Sequence, residues 1–284
     1  MKLHPGKRLH VEAALPSDSN LLPDSNFPLI IAHRGASAVA PENTLAAFER
    51  ALLDGADGIE FDVRLTRDRL PVVIHDATLK RTAGFDASIA ALSSAELATI
   101  DVGSWFNRRF PARARAEYSG EAVPTLSRVF ELIAPRCRLL YVELKCEAAE
   151  TTSLVEKAVA EVRTHELEKR VVLESFSLAA IAEVKRIAPE LRTAAAFERR
   201  PGRPLISPRT LLRHALACHA DELALARLLV SHYTVEAARA CGLQTVVWTV
   251  DHPSWIKRAI SFGLRAVITN DPAGMRAALD DIRR

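Results

Sequence analysis

From Leu29 onward, short apolar or β-branched runs alternate with longer segments rich in Ala, Leu, Glu and Arg. The short runs have strand length: Leu29–Ala32, Gly58–Val63, Val72–His75, Leu139–Leu144, Val171–Ser175, Arg192–Ala196, a poorly bounded stretch at 222–230, Gln244–Val250 and Ala266–Thr269. Helical patterning fills the intervals at Asn43–Asp54, Thr125–Ala134, Ala149–Thr164, Leu178–Ala188, Thr234–Cys241 and Pro253–Phe262. Several of these start at a capping residue and stop before Gly, as Thr234 and Gly242 bracket one of them. Strands alternating with helices of this length mean βα units and a mostly parallel sheet.

One strand does not fit the parallel array. The link from Val63 to Val72 is too short for a crossover helix, so Val72–His75 must return as a hairpin through Thr66-Arg67-Asp68-Arg69. Eight βα repeats remain, which predicts a TIM-type (β/α)8 barrel with functional groups at the carboxyl ends of the strands. A doubly wound open sheet is the competing architecture, but no Gly-rich phosphate loop follows any strand. Residues 1–28, broken by four prolines and without periodicity, read as a tail before a single barrel domain at 29–284. Between Asp76 and Pro124 the rhythm is interrupted by an inserted segment, about 77–123, with one short helix at Ser94–Thr99 behind a Ser93/Glu96 capping box. It reads as an excursion over the top of the barrel, with Arg108, Arg109, Arg113 and Arg115 on a solvated face.

Composition narrows the class. With 49% hydrophobic and 26% charged residues the chain can bury a large core, and a net charge of +3 from interspersed charges argues against a nucleic-acid partner. No apolar run is long enough for a signal-peptide core or a membrane span, so the expectation is a cytoplasmic protein without integral membrane association. Cys137, Cys146, Cys218 and Cys241 have no zinc spacing and read as reduced thiols, with a Cys137–Cys146 disulfide as the alternative. Oligomeric state is not legible.

Polar residues at the strand ends carry the candidate chemistry. The first strand ends in His33-Arg34-Gly35; an isolated His33 would read as a core histidine, but here it lies beside an arginine whose planar fork suits phosphate. In Gly58–Val63, Glu60 and Asp62 share the face opposite Ile59, Phe61 and Val63, so both carboxylates point into the barrel. The hairpin returns His75 to that pair, and Glu143 and Lys145 share one face of a neighbouring strand. Inward carboxylates must be paired by cations or hold a metal. Glu60, Asp62 and Glu143 together suit one hard divalent cation, Mg2+ or Ca2+, with Mn2+ also admissible, better than zinc. The competing reading is an ion-pair layer with Arg34 and Lys145. Two histidines, a carboxylate metal site and two cations have a common use in phosphodiester cleavage: the charges neutralise phosphate while one histidine takes a proton and the other gives one.

The segments HRGASAVAPENT, GADGIEFDVRLTRD, PVVIHDATLKRT, VPTL, YVELK, SF, VVWTVD and ITNDP occur here in order over residues 29 to 274. In this they resemble the glycerophosphodiester phosphodiesterases. The resemblance implies a metal-dependent TIM barrel that hydrolyses glycerophosphodiesters to glycerol 3-phosphate and an alcohol. It implies His33 and His75 as acid and base, Glu60, Asp62 and Glu143 as metal ligands, and Arg34 and Lys145 on phosphate. Glu42 would support the site through Arg34 or a substrate hydroxyl, and Trp248 would wall the pocket. A lysophospholipase D acting on acyl-bearing lipids and a silent glycerophosphodiester-binding barrel are the alternatives. The chain has Arg69 where the family's hairpin turn usually has Gly, which should reshape the turn, and the stretch 197–226 is poorly matched.

Overall fold

A computed structural model describes residues 27–284 except 148, 200, 201 and 203–205. Eight parallel strands close on themselves: β1 (Leu29–His33), β2 (Gly58–Leu65), β4 (Leu139–Leu144), β5 (Val171–Ser175), β6 (Arg192–Phe197), β7 (Glu222–Ala226), β8 (Gln244–Trp248) and β9 (Ala266–Thr269). Each pairs with its successor, and β1 pairs with both β2 and β9, which closes the barrel. The open-sheet alternative is therefore excluded.

The hairpin strand, β3 (Pro71–Val73), is antiparallel to β2 with Val63 opposite Val73. It starts one residue earlier and stops two earlier than the sequence pattern suggests, so His75 lies just past the strand. In the turn Arg69 adopts φ +63°, the left-handed region that favours glycine, and the Thr66 hydroxyl accepts from the Leu70 amide at 3.0 Å.

The apolar face of each strand packs outward onto helices. Ile59, Phe61, Val63, Val142 and Leu173 join residues such as Phe48, Val129 and Val155 of the surrounding helices in one core cluster. The barrel interior holds a smaller apolar layer including Ile31, Tyr141, Val172 and Ile268. Among the helices, α1 (Leu45–Leu53) is capped by Thr44, whose hydroxyl accepts from the Ala47 amide. The helix expected at Thr234–Cys241 is His232–Ala240, because Ser231 supplies the cap and Thr234 sits in the first turn, hydroxyl to hydroxyl with Ser231 at 2.8 Å. Helices at Ser104–Arg109, Pro208–Ala217 and Pro272–Arg283 were not legible from the pattern.

Residues 1–26 of the expected tail lie outside the described residues. Phe27, by contrast, packs on the core with the Arg283 guanidinium 4.6 Å from its ring centroid. The inserted segment has the expected Ser93/Glu96 capping box. It packs on the loop that follows β1 and on α1: Phe106 and Tyr118 lie against Ala40 and Ala47, and the Tyr118 hydroxyl donates to the Val39 carbonyl at 3.0 Å. Arg108, Arg109, Arg113 and Arg115 are all exposed, as expected, and Arg113 also donates to the Ala38 carbonyl. All four cysteines are free thiols, which removes the disulfide alternative.

Candidate active site

At the carboxyl ends of the strands lies a cavity of about 330 Å³ lined by His33, Arg34, Glu60, His75, Glu143, Lys145, Glu174, Phe176, Glu198, Trp248 and Ile268. The local backbone brings the first of these into place. Arg34 and Asn43 both adopt left-handed φ, +56° and +58°, and the Asn43 amide donates to the Arg34 carbonyl at 3.0 Å. Between them Gly35 has φ +83°, and a Cβ there would come within 2.6 Å of the Ala47 carbonyl carbon. Only glycine lets this loop lie so close to α1.

Parallel pairing of β2 with β4 sets Asp62 level with Glu143. One oxygen from each of Glu60, Asp62 and Glu143 lies within 4.8 Å of the others, and all three residues are buried. Asp62 is ringed by donors: Arg34 Nε at 3.0 Å, Lys145 Nζ at 3.0 Å and Asn43 Nδ2 at 2.8 Å. Burial alone would raise its pKa, but Arg34 and Lys145 hold it well below the usual carboxylate range. Glu143 shares Lys145 at 2.7 Å. Burial and the Asp62 charge nevertheless push it up to about 7. Glu60 has the Arg34 amide at 3.2 Å and His33 Nε2 at 3.9 Å but, among the described residues, no lysine or arginine side chain paired with it. Its pKa rises well above the usual range through burial, then through Asp62 and Glu143.

The ion-pair layer weighed from sequence thus exists, but it is incomplete: two cations meet three carboxylates. The opposite end of the barrel provides the contrast. There Glu222, fully buried, is matched by Arg192 at 3.0 Å, Arg265 at 3.2 Å and the Tyr141 hydroxyl at 2.7 Å. A convergent oxygen set with surplus negative charge fits a hard divalent cation.

Both histidines are held through Nδ1. Asp251 fixes the Asn270 amide by accepting from its Nδ2 at 2.9 Å, so Asn270 Oδ1 faces His33 Nδ1 at 2.7 Å and accepts a hydrogen bond from it. His33 is therefore the Nδ1–H tautomer with its Nε2 lone pair free. Burial, with Arg34 adding to it, pushes the His33 pKa down to about 4. His75 Nδ1 meets Asp76 Oδ1 at 2.7 Å, which leaves its Nε2 free as well. Burial lowers the His75 pKa more mildly, and Asp76 opposes the shift.

Arg34 Nη1 donates to Glu42 at 2.9 Å, the support expected of Glu42. Glu42 also receives both Arg81 Nη atoms, at 2.9 and 2.8 Å, and Arg81 Nε reaches Asp76 at 2.6 Å. Arg81 comes from the inserted segment and lies 5.5 Å from the Trp105 ring centroid. Trp248 lines the cavity edge-on to Phe176 with ring centroids 5.4 Å apart. Sequence reasoning missed Asp76, Arg81, Asn43, Asn270 and Glu174 as site residues. All but Glu174 lie inside the motif segments quoted above, and Asn43 and Asp76 adjoin the selected Glu42 and His75.

Arg81→Met is expected to lower kcat about 10- to 100-fold with little change in KM, because it frees both Asp76 and Glu42, the groups that orient His75 and Arg34. Arg81→Lys should restore little, since a single ammonium cannot span two carboxylates as the guanidinium fork does. Steady-state kinetics of the two variants check this, and a near-normal kcat in either would refute it.

A closed (β/α)8 barrel with carboxylates, two singly tethered histidines and phosphate-compatible cations at its carboxyl end is built as a hydrolase of phosphate esters. The Glycerophosphoryl diester phosphodiesterase family matches residues 33–274, and the chain belongs to that family. It is an enzyme of the phosphodiester-hydrolase class. A curated glycerophosphodiester phosphodiesterase of Caldanaerobacter subterraneus subsp. tengcongensis is 35% identical over 86% of this chain and 94% of its own. Among solved structures, an Oleispira antarctica phosphodiesterase in complex with the product sn-glycerol-3-phosphate superposes with TM-score 0.78 at 28% identity, covering 89% of this chain and 97% of that one. The glycerophosphodiester phosphodiesterase of Agrobacterium tumefaciens gives TM-score 0.72 at 30% identity, over 88% and 99%. No helix among the described residues is long and apolar enough to cross a membrane.

Proposed function

We propose that this enzyme hydrolyses glycerophosphodiesters to glycerol 3-phosphate and an alcohol, in a reaction that requires one divalent cation. The observation that carries the reading is the unequal charge of the barrel's two polar ends: surplus carboxylate beside two histidines at the mouth, and a neutralised glutamate at the base. Product bound to the Oleispira relative supports the substrate class.

Glu60, Asp62 and Glu143 would hold the cation, Mg2+, Ca2+ or Mn2+, which when bound supplies positive charge to the phosphoryl oxygens. Arg34 and Lys145 lie at the same end of the cavity and add charge to the same group. His33 is neutral near pH 7, and its free Nε2 takes the proton from the attacking oxygen. The phosphorus–oxygen bond to the alcohol then breaks, and His75, acting from its doubly protonated form with Nδ1–H on Asp76, gives its Nε2 proton to the departing oxygen. The Asp76 carboxylate on Nδ1 stabilises His75 while it carries that proton. Trp248 and Phe176 form the apolar wall of the cavity.

The test is release of glycerol 3-phosphate from a panel of glycerophosphodiesters, with release of lysophosphatidate and choline from lysophosphatidylcholine as a further arm, in chelated buffer and with each cation restored. Metal-dependent release from the soluble diesters is expected. Release confined to the lysolipid would transfer the assignment to a lysophospholipase D.

A further inference from the structure

Around the cavity the rim divides in two. β1, β2 and β4 with the residues that follow them supply His33, Arg34, Glu60, Glu143 and Lys145. The other half, from β5 through β9, supplies Glu174, Phe176, Glu198, Trp248 and Ile268, with no lysine or arginine among these lining residues. Phosphate belongs with the cations of the first half, so whatever extends from it across the cavity meets the second.

Glu174 is the unexplained group there. Its position on β5 sets it level with Glu143 of β4, and its side chain lines the cavity although the residue is only 4% exposed. Oε2 has no hydrogen-bond partner among the described residues. It is not among the three residues whose oxygens converge as a cation site. Elsewhere in the barrel this chain does not leave an inward glutamate alone, as the two arginines and tyrosine around Glu222 show. A buried acceptor without a donor carries the cost of its lost hydration, and a ligand that brings a donor recovers it.

We infer that Glu174 is a specificity residue that accepts a hydrogen bond from an uncharged or cationic donor on the substrate, an O–H of the glycerol or an N–H of an ammonium alcohol. This rests on the glycerophosphodiesterase reading above. A site built to bond a donor rejects an analogue lacking it far more strongly than an apolar pocket rejects a change of shape, because its own polar group is then stranded.

The experiment measures kcat/KM for wild type, Glu174→Gln and Glu174→Leu, at saturating metal, on glycerophosphoethanolamine, glycerophosphocholine and propylphosphocholine. Wild type is expected to prefer one donor-bearing substrate over its matched partner, and Glu174→Leu to shrink that preference about tenfold or more while sparing the donor-free analogue. Glu174→Gln, which still presents an accepting oxygen, should keep most of it. Loss of the glycerol-against-propyl preference identifies the glycerol hydroxyls as the donor; loss of the ethanolamine-against-choline preference identifies the ammonium. Circular dichroism establishes folding, and Glu174→Ala replaces the leucine variant should that one not fold. Equal losses on all three substrates, or unchanged ratios, would overturn the inference while the underlying reading stands. So would a raised half-saturating metal concentration with unchanged ratios, which makes Glu174 a metal ligand. No hydrolysis of any glycerol diester by wild type would defeat both.

Discussion

Chelation of divalent ions is expected to abolish turnover while the barrel stays folded, and Glu60→Gln to raise the metal concentration for half activity by at least about 10-fold. The cation's share of charge stabilisation is several kcal/mol, and at about 1.4 kcal/mol per tenfold its removal should cost on the order of 10²-fold or more in rate. Glu60 rather than Asp62 is the discriminating position. Asp62 is ion-paired with Arg34 and Lys145 and accepts from Asn43, so Asp62→Asn takes a carboxylate from two cations that each keep only one other, Glu42 and Glu143, whether or not a metal binds. Glu60 has no such cation, and the change Glu60→Gln costs the metal-free protein little. A second readout follows from linkage. The native Glu60 pKa lies above its unfolded value, so between the two the native state holds the extra proton and stability falls as pH rises. Glu60→Gln removes that contribution, and the metal-free variant should lose less stability than wild type as pH rises above about 4.3. Thermal melts across pH, together with activity in a metal titration, decide the matter: full activity after exhaustive chelation would sink the metal site.

His33→Ala and His75→Ala should each lower kcat by roughly 10²- to 10⁴-fold without unfolding the barrel, the range for a positioned proton-transfer group. The pH dependence distinguishes the two. His33 must be deprotonated to act, and its pKa is pushed down to about 4, so the acid limb of kcat/KM should lie near there and below the ordinary histidine range. Asn270→Ala should displace that limb, because Asn270 sets the tautomer that leaves Nε2 free. A limb near 6.5 that disappears in His33→Ala would show that His33 titrates as an unperturbed histidine and remove the basis for naming it the base.

Much of the site was legible because its first members sit at strand ends. Strand periodicity alone puts Glu60 and Asp62 on one face and Glu143 and Lys145 on another, and the short Val63–Val72 link makes β2 and β4 neighbours without knowledge of the barrel. Glu174 was passed over although it obeys the same rule, because one inward glutamate beside Ser175 has no counterpart in its own strand to mark it. Arg81 was passed over because it lies in an insertion with no regular period, where nothing local tells an arginine that bridges two carboxylates from one in solvent.

The local pattern by itself determined the order of the elements, the inward face of each strand, the antiparallel return of β3 and the identity of the histidines and carboxylates at the mouth. Tertiary structure alone decided which of those groups are satisfied. His33 takes its tautomer from Asn270, 237 residues away, and Glu222 finds Arg192 and Tyr141 on other strands and Arg265 just before β9. The period of a strand fixes which face a side chain occupies, but the partner it meets depends on the register at which eight strands close, and packing against the surrounding helices sets that register.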